Sequence, residues 1–93
     1  MSDVLESLWK TIEDRQRVMP VGSYTTSLFA AGAPRIAQKV GEEAVETVVA
    51  ALSEGHERVI YEMADLVYHC LVLLAATGAT WADVEAELAR RFR

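Results

Sequence analysis

Thiols are almost absent from this chain. Cys70 is the single cysteine, which excludes an intrachain disulfide and a thiolate zinc cluster and suits a reducing compartment. Its place in an apolar run reads as core filler. Helix breakers are scarce as well: two prolines and five glycines in 93 residues leave room for long uninterrupted helices. Basic side chains are outnumbered nine to fourteen, and a net charge of −5 is the wrong sign for holding a polyanion through side chains alone. An anionic substrate would need a metal ion to help bind it. Alternating strand patterns, internal repeats and low-complexity tracts are also missing. Met1-Ser2-Asp3-Val4 lacks the basic start and apolar stretch of a signal peptide. The acids that interrupt the apolar residues after Val59, and the absence of a long uninterrupted apolar run, argue against a membrane span. The expected location is the cytoplasm.

What is present is helical. Hydrophobic residues make up 52% of the chain, and 93 residues form one domain, 1–93, near the size at which association helps to complete a core. Asp3 and Glu6 resemble a capping box before Val4, Leu5, Leu8, Trp9 and Ile12, which predicts a first helix over 4–17. Met19-Pro20-Val21-Gly22 breaks it. Ser23 or Thr25 caps a short helix to about Ala31, Gly32 stops it, and Pro34 opens a helix running to about Leu52. Ser53-Glu54-Gly55 is a short link, so the next helix, from about Glu57 to Thr77, should be its antiparallel neighbour. Thr80 with Asp83 caps a last helix through about Phe92, with Val84, Leu88 and Phe92 as its stripe. The expected fold is all-α, a small helical bundle around two long antiparallel helices.

Those two helices carry the chemistry. Glu43 and Glu46 are three residues apart, as are Glu62 and Asp65, and on a helix such residues share a face at about 5–6 Å between Cβ atoms. Two such pairs facing one another make an oxygen-only cation site of the kind that suits magnesium and substrate phosphates. The stripe Arg35, Lys39, Glu42, Glu43 and Glu46 taken alone reads equally as a solvated face with a Lys39–Glu43 ion pair. The following helix shifts the balance, because from Val59 to Ala76 it is apolar nearly all round apart from a stripe holding Arg58, Glu62, Asp65 and His69. Unpaired carboxylates in a central helix are costly, and Arg58 can balance Glu62 but not the whole cluster. Lys39 is placed to reach a phosphate, and Gly22-Ser23-Tyr24-Thr25 offers hydroxyls and free amides at a helix start. His69 reads as a histidine hydrogen-bonded within the bundle, and Tyr68 as a packing aromatic.

The pattern resembles the phosphoribosyl-ATP pyrophosphohydrolase family of histidine biosynthesis, within the broader MazG-like group of all-helical nucleotide pyrophosphatases. The group's Glu-Glu-x-x-Glu and Glu-x-x-Asp stand here as Glu42-Glu43-Ala44-Val45-Glu46 and Glu62-Met63-Ala64-Asp65. The narrower family is suggested by Gly22-Ser23-Tyr24-Thr25, Lys39-Val40-Gly41-Glu42-Glu43-Ala44 and Asp65-Leu66-Val67-Tyr68-His69. The resemblance implies magnesium ligands at Glu43, Glu46, Glu62 and Asp65, with Glu42 nearby as an outer or occasional ligand. Ser23, Tyr24, Thr25 and Lys39 would hold the phosphates or the added ribose phosphate. It implies hydrolysis of phosphoribosyl-ATP to phosphoribosyl-AMP and pyrophosphate, and a homodimer. Some relatives are fused to a cyclohydrolase, for whose zinc site this chain lacks the thiolates. Two alternatives stand beside this reading: a house-cleaning nucleoside triphosphate pyrophosphatase, and a non-catalytic helical interaction module.

Overall fold

In the computed structural model, residues 3–92 are described, and they form five helices and no strand. Helix α1 spans Asp3–Val18, α2 Tyr24–Ala31, α3 Ala33–Ser53, α4 His56–Ala76 and α5 Trp81–Arg90. Each element named from the sequence is there, with ends displaced by one or two residues. Asp3 lies inside the first turn of α1, where its charge suits the helix N-terminus. The residue that would cap α1 lies outside the described ones. Ser23 rather than Thr25 caps α2, its hydroxyl accepting from the Thr26 amide. Gly32, at φ 96°, ends α2 and starts α3.

The α3–α4 hairpin turns at Glu54 and Gly55. Glu54 closes α3 through its amide to the Ala50 carbonyl, and Gly55 sits at φ 96°. A Cβ at Gly55 would meet nothing within 4 Å, so backbone conformation rather than space selects glycine there. At the far end Thr80 and Asp83 form the full reciprocal capping box. The last helix stops at Arg90, two residues short of the expected Phe92, because the Arg91 amide turns back onto the Leu88 and Ala89 carbonyls.

The core is small and joins four helices: Ile12 of α1, Leu28 of α2, Ile36 of α3 and Leu71, Val72 and Ala75 of α4, with Trp9, Phe29 and Trp81 packed around them. No residue of α5 is buried. By length and composition α4 is apolar enough to cross a membrane, which corrects the expectation that no such run exists. Yet it carries buried Glu62 and His69 and packs along α3 as a bundle helix. Only its second half is enclosed. The first half leaves Ile60, Tyr61 and Met63 exposed, beside exposed Val48, Val49 and Leu52 of α3. The radius of gyration, 14.2 Å, exceeds the roughly 12 Å expected of a compact chain this long. The hairpin therefore presents an open apolar face.

Candidate active site

The antiparallel hairpin sets Glu43 of α3 against Glu62 and Asp65 of α4. One oxygen from each of these three carboxylates lies within 4.8 Å of the others. Glu43 and Glu62 are only 4% and 5% exposed, while Asp65 is half-buried. Burial of two acids at one point calls for cations, and the protein supplies two from the rim. Arg58 donates to Glu62 Oε2 at 2.7 Å, one turn away on α4, with its guanidinium stacked 4.5 Å over the Tyr61 ring. Lys39 places Nζ 3.4 Å from Glu43 Oε1. Burial works against the Lys39 ammonium, but Glu43, with Tyr24 and Glu42, outweighs it and raises its pKa above the ordinary lysine value.

These pairings leave one oxygen of each buried acid over. Glu43 Oε2 and Glu62 Oε1 are fully buried and have no hydrogen-bond partner, a cost that a cation held between them would relieve. The donor set is carboxylate oxygen only, from three residues within a few ångströms, and it fits a hard divalent cation.

The other acids of the motif occupy different surroundings. Glu46 is exposed and lies outside the three-residue cluster, although it lines a recess of about 270 Å³ with Glu62, Glu54, Val45 and Val49. Its pKa is raised, first by the neighbouring Glu43 carboxylate, then by burial and by Glu62. Glu46 thus stands at the mouth of the cluster. Glu42 points away: its Oε2 accepts from Gln38 at 2.9 Å, and Lys39 and Arg35 lie 3.6 and 3.8 Å from its carboxylate. Gln38 first, then Lys39 and Arg35, hold its pKa below the ordinary value.

The Ser23-Tyr24-Thr25 segment reaches the site from α2, but its hydroxyls are already engaged. Ser23 caps the helix, Thr25 bonds the Tyr68 hydroxyl, and the Tyr24 hydroxyl lies 3.0 Å from His69 Nε2. His69 is buried, and its Nδ1 donates to the Asp65 carbonyl at 2.8 Å. A connected chain thus runs from the α2 start through His69 to the residue carrying one of the clustered acids. Sequence reasoning read His69 as hydrogen-bonded within the bundle, as it is, and gave Tyr68 only a packing role. The signal for His69 was its i+4 spacing from Asp65, whereas the 45-residue link to Tyr24 left none.

The family model for phosphoribosyl-ATP pyrophosphohydrolase matches residues 5–92. The chain belongs to the phosphoribosyl-ATP pyrophosphohydrolase family. It is an enzyme of that kind, a hydrolase. Among similar proteins of this family, the phosphoribosyl-ATP pyrophosphatase of Metallosphaera sedula is 58% identical over 93 residues, the full length of both chains. That of Paramagnetospirillum magneticum is 57% identical over 90 residues, 97% of this chain and 83% of its own. A histidine biosynthesis bifunctional protein of Bacteroides thetaiotaomicron is 54% identical over 87 residues, which are 94% of this chain and 43% of its own. The relatives thus include stand-alone and two-function chains, and this chain covers 100% and 83% of the two stand-alone ones.

Proposed function

We propose that this phosphoribosyl-ATP pyrophosphatase of histidine biosynthesis works with magnesium held by Glu43, Glu62 and Asp65, with Glu46 completing the set from the mouth of the site. The observation that carries the reading is the pair of buried carboxylate oxygens, one on each long helix, that lack hydrogen-bond partners. The ion would supply neutralisation of the triphosphate and a lowered pKa for the attacking water. The protein's own groups do the rest. Lys39, kept charged by Glu43, reaches toward the phosphates as a mobile cation. Ser23 fixes the start of α2, Thr25 anchors that start to Tyr68, and Tyr24 stands between them facing the nucleotide. Glu42 orients Lys39 from outside. Cleavage between the α- and β-phosphates gives phosphoribosyl-AMP and pyrophosphate.

The working unit in this proposal is a single domain that functions as a cytoplasmic homodimer. An isologous pair formed through the open face would cover the exposed Val48, Val49, Leu52, Ile60 and Met63. A groove of about 490 Å³ between α1 and α4, lined by Leu5, Leu8, Val59, Ile60, Met63 and Val67, continues that face.

Substrate choice is tested by measuring kcat/KM for phosphoribosyl-ATP against ATP, GTP, dCTP and dUTP at saturating magnesium. The proposal predicts at least a hundredfold preference for phosphoribosyl-ATP, about 2.7 kcal/mol in transition-state binding. Comparable turnover of the common nucleotides would identify a house-cleaning enzyme instead.

A further inference from the structure

The two buried acids of the site are held in the same way. Lys39 stands four residues before Glu43 on α3 and Arg58 four residues before Glu62 on α4, so each base lies one helical turn from its acid on a shared face. Each base takes one oxygen, Glu43 Oε1 and Glu62 Oε2, and the oxygens without a hydrogen-bond partner are the other two, Glu43 Oε2 and Glu62 Oε1. The grip on one oxygen sets which oxygen is left for a ligand.

The two grips differ in firmness. Lys39 Nζ lies 3.4 Å from Glu43 and 3.6 Å from Glu42, a point charge shared between two carboxylates and outside the roughly 2.7–2.9 Å of a strong charge-assisted bond. Arg58 donates to Glu62 at 2.7 Å, and its Cζ lies 4.5 Å from the centroid of the Tyr61 ring. A planar guanidinium bonded to a carboxylate and seated on an aromatic ring keeps little freedom. Lys39 is built to move and Arg58 to stay.

Resting on the magnesium reading of the site, we propose that Arg58 is a positioning residue for the metal: by holding Glu62 Oε2, with Tyr61 as its platform, it turns Oε1 toward the ion. Loss of a partner that orients a metal-binding group in this way commonly costs about 10–100-fold in metal affinity. Lys39 then serves the substrate and Arg58 the ion. Charge alone would give Arg58 the opposite role, since a cation beside the acids repels a divalent ion and its removal would tighten binding.

The test measures metal affinity without nucleotide. Mn2+ is titrated into metal-stripped wild type, Arg58→Gln, Arg58→Lys and Tyr61→Leu, with the free ion followed by electron paramagnetic resonance. Arg58→Gln should weaken binding about tenfold. Arg58→Lys keeps the charge without the fork, Tyr61→Leu keeps the arginine without its platform, and each should weaken binding by a smaller factor. Tighter binding in Arg58→Gln with wild-type affinity in the other two, or unchanged affinity in all three, overturns the proposal. Arg58→Gln should also raise the magnesium concentration needed for half-maximal turnover of phosphoribosyl-ATP by about the factor seen with Mn2+. An unchanged magnesium requirement with a raised KM for the nucleotide would put Arg58 on the phosphates and overturn its positioning role. Circular dichroism checks that each variant is folded. Tyr61 is exposed, so Tyr61→Leu carries the test should Arg58→Gln fail to fold. Absence of saturable Mn2+ binding in wild type would overturn the magnesium assignment itself and this proposal with it, whereas wild-type binding with unaffected variants overturns the proposal alone.

Discussion

Magnesium added to the metal-stripped protein should raise its melting temperature by on the order of 10 °C or more, and the double substitution Glu43→Gln/Glu62→Gln should remove that rise. The carboxylate oxygens involved lie within 4.8 Å of one another, and two unit charges at that separation repel by about 3.5 kcal/mol at an effective dielectric near 20. Lys39 at 3.4 Å from Glu43 and Arg58 at 2.7 Å from Glu62 offset part of this. Glu43 Oε2 and Glu62 Oε1 stay uncompensated. An ion that binds only the folded arrangement relieves the residual repulsion and adds about 2.7 kcal/mol when free ion stands a hundredfold above its dissociation constant. For a domain of this size each kcal/mol moves the midpoint by roughly 4–8 °C. Thermal melts followed by circular dichroism, in magnesium chloride and in sodium chloride of equal ionic strength, separate binding from screening, because screening acts without regard to ion identity. Equal shifts in the two salts, or an undiminished magnesium shift in the double variant, would refute the reasoning.

Three further outcomes are expected. Glu43→Gln, Glu62→Gln and Asp65→Asn should each abolish pyrophosphate release with helical content intact, since each removes a charge from a repulsive cluster; near wild-type turnover in two of them would remove the basis of the site. Glu46→Gln should stabilise the metal-stripped protein near pH 7 and leave it unchanged near pH 4. The raised pKa of Glu46 in the fold, driven by Glu43, contributes stability below its ordinary value of 4.5 that is lost as pH rises through the raised one; melting midpoints that keep a constant offset across that range would contradict it. Ile60→Glu, on the open face of α4, should convert a dimer to monomer in sedimentation equilibrium at about 50 μM, as expected when a charge is buried in an apolar interface, and an unchanged dimer would move the interface elsewhere.

The parts of this molecule legible in its sequence are those fixed by short spacings. The Ser23 and Thr80 caps, the Gly32 and Gly55 turns and the three-residue separations of the acids all act within one or two helical turns, so they can be read without knowing what packs against what. A short link then implies an antiparallel hairpin, and the facing of Glu43 toward Glu62 and Asp65 follows from it. Glu46 was harder, because spacing gives the face of a helix but not the depth of each residue on it. It ends up exposed at the mouth rather than inside the cluster. The engagement of Thr25 with Tyr68 and of Tyr24 with His69 depends on where α2 meets α4, across more than 40 residues, and no local pattern encodes that. The near-continuous apolarity of α4 predicted a helix at the centre of the bundle. Ile60 and Met63 are exposed instead, because hydropathy records that a surface needs covering without saying whether the same chain or a second copy covers it.

Pyrophosphate release from phosphoribosyl-ATP by the metal-stripped enzyme, followed before and after magnesium is restored, tests the central claim most directly. The account predicts no turnover above background without a divalent ion, and stoichiometric phosphoribosyl-AMP and pyrophosphate once magnesium is present. Equal rates in the two conditions, or release of orthophosphate in place of pyrophosphate, would contradict it.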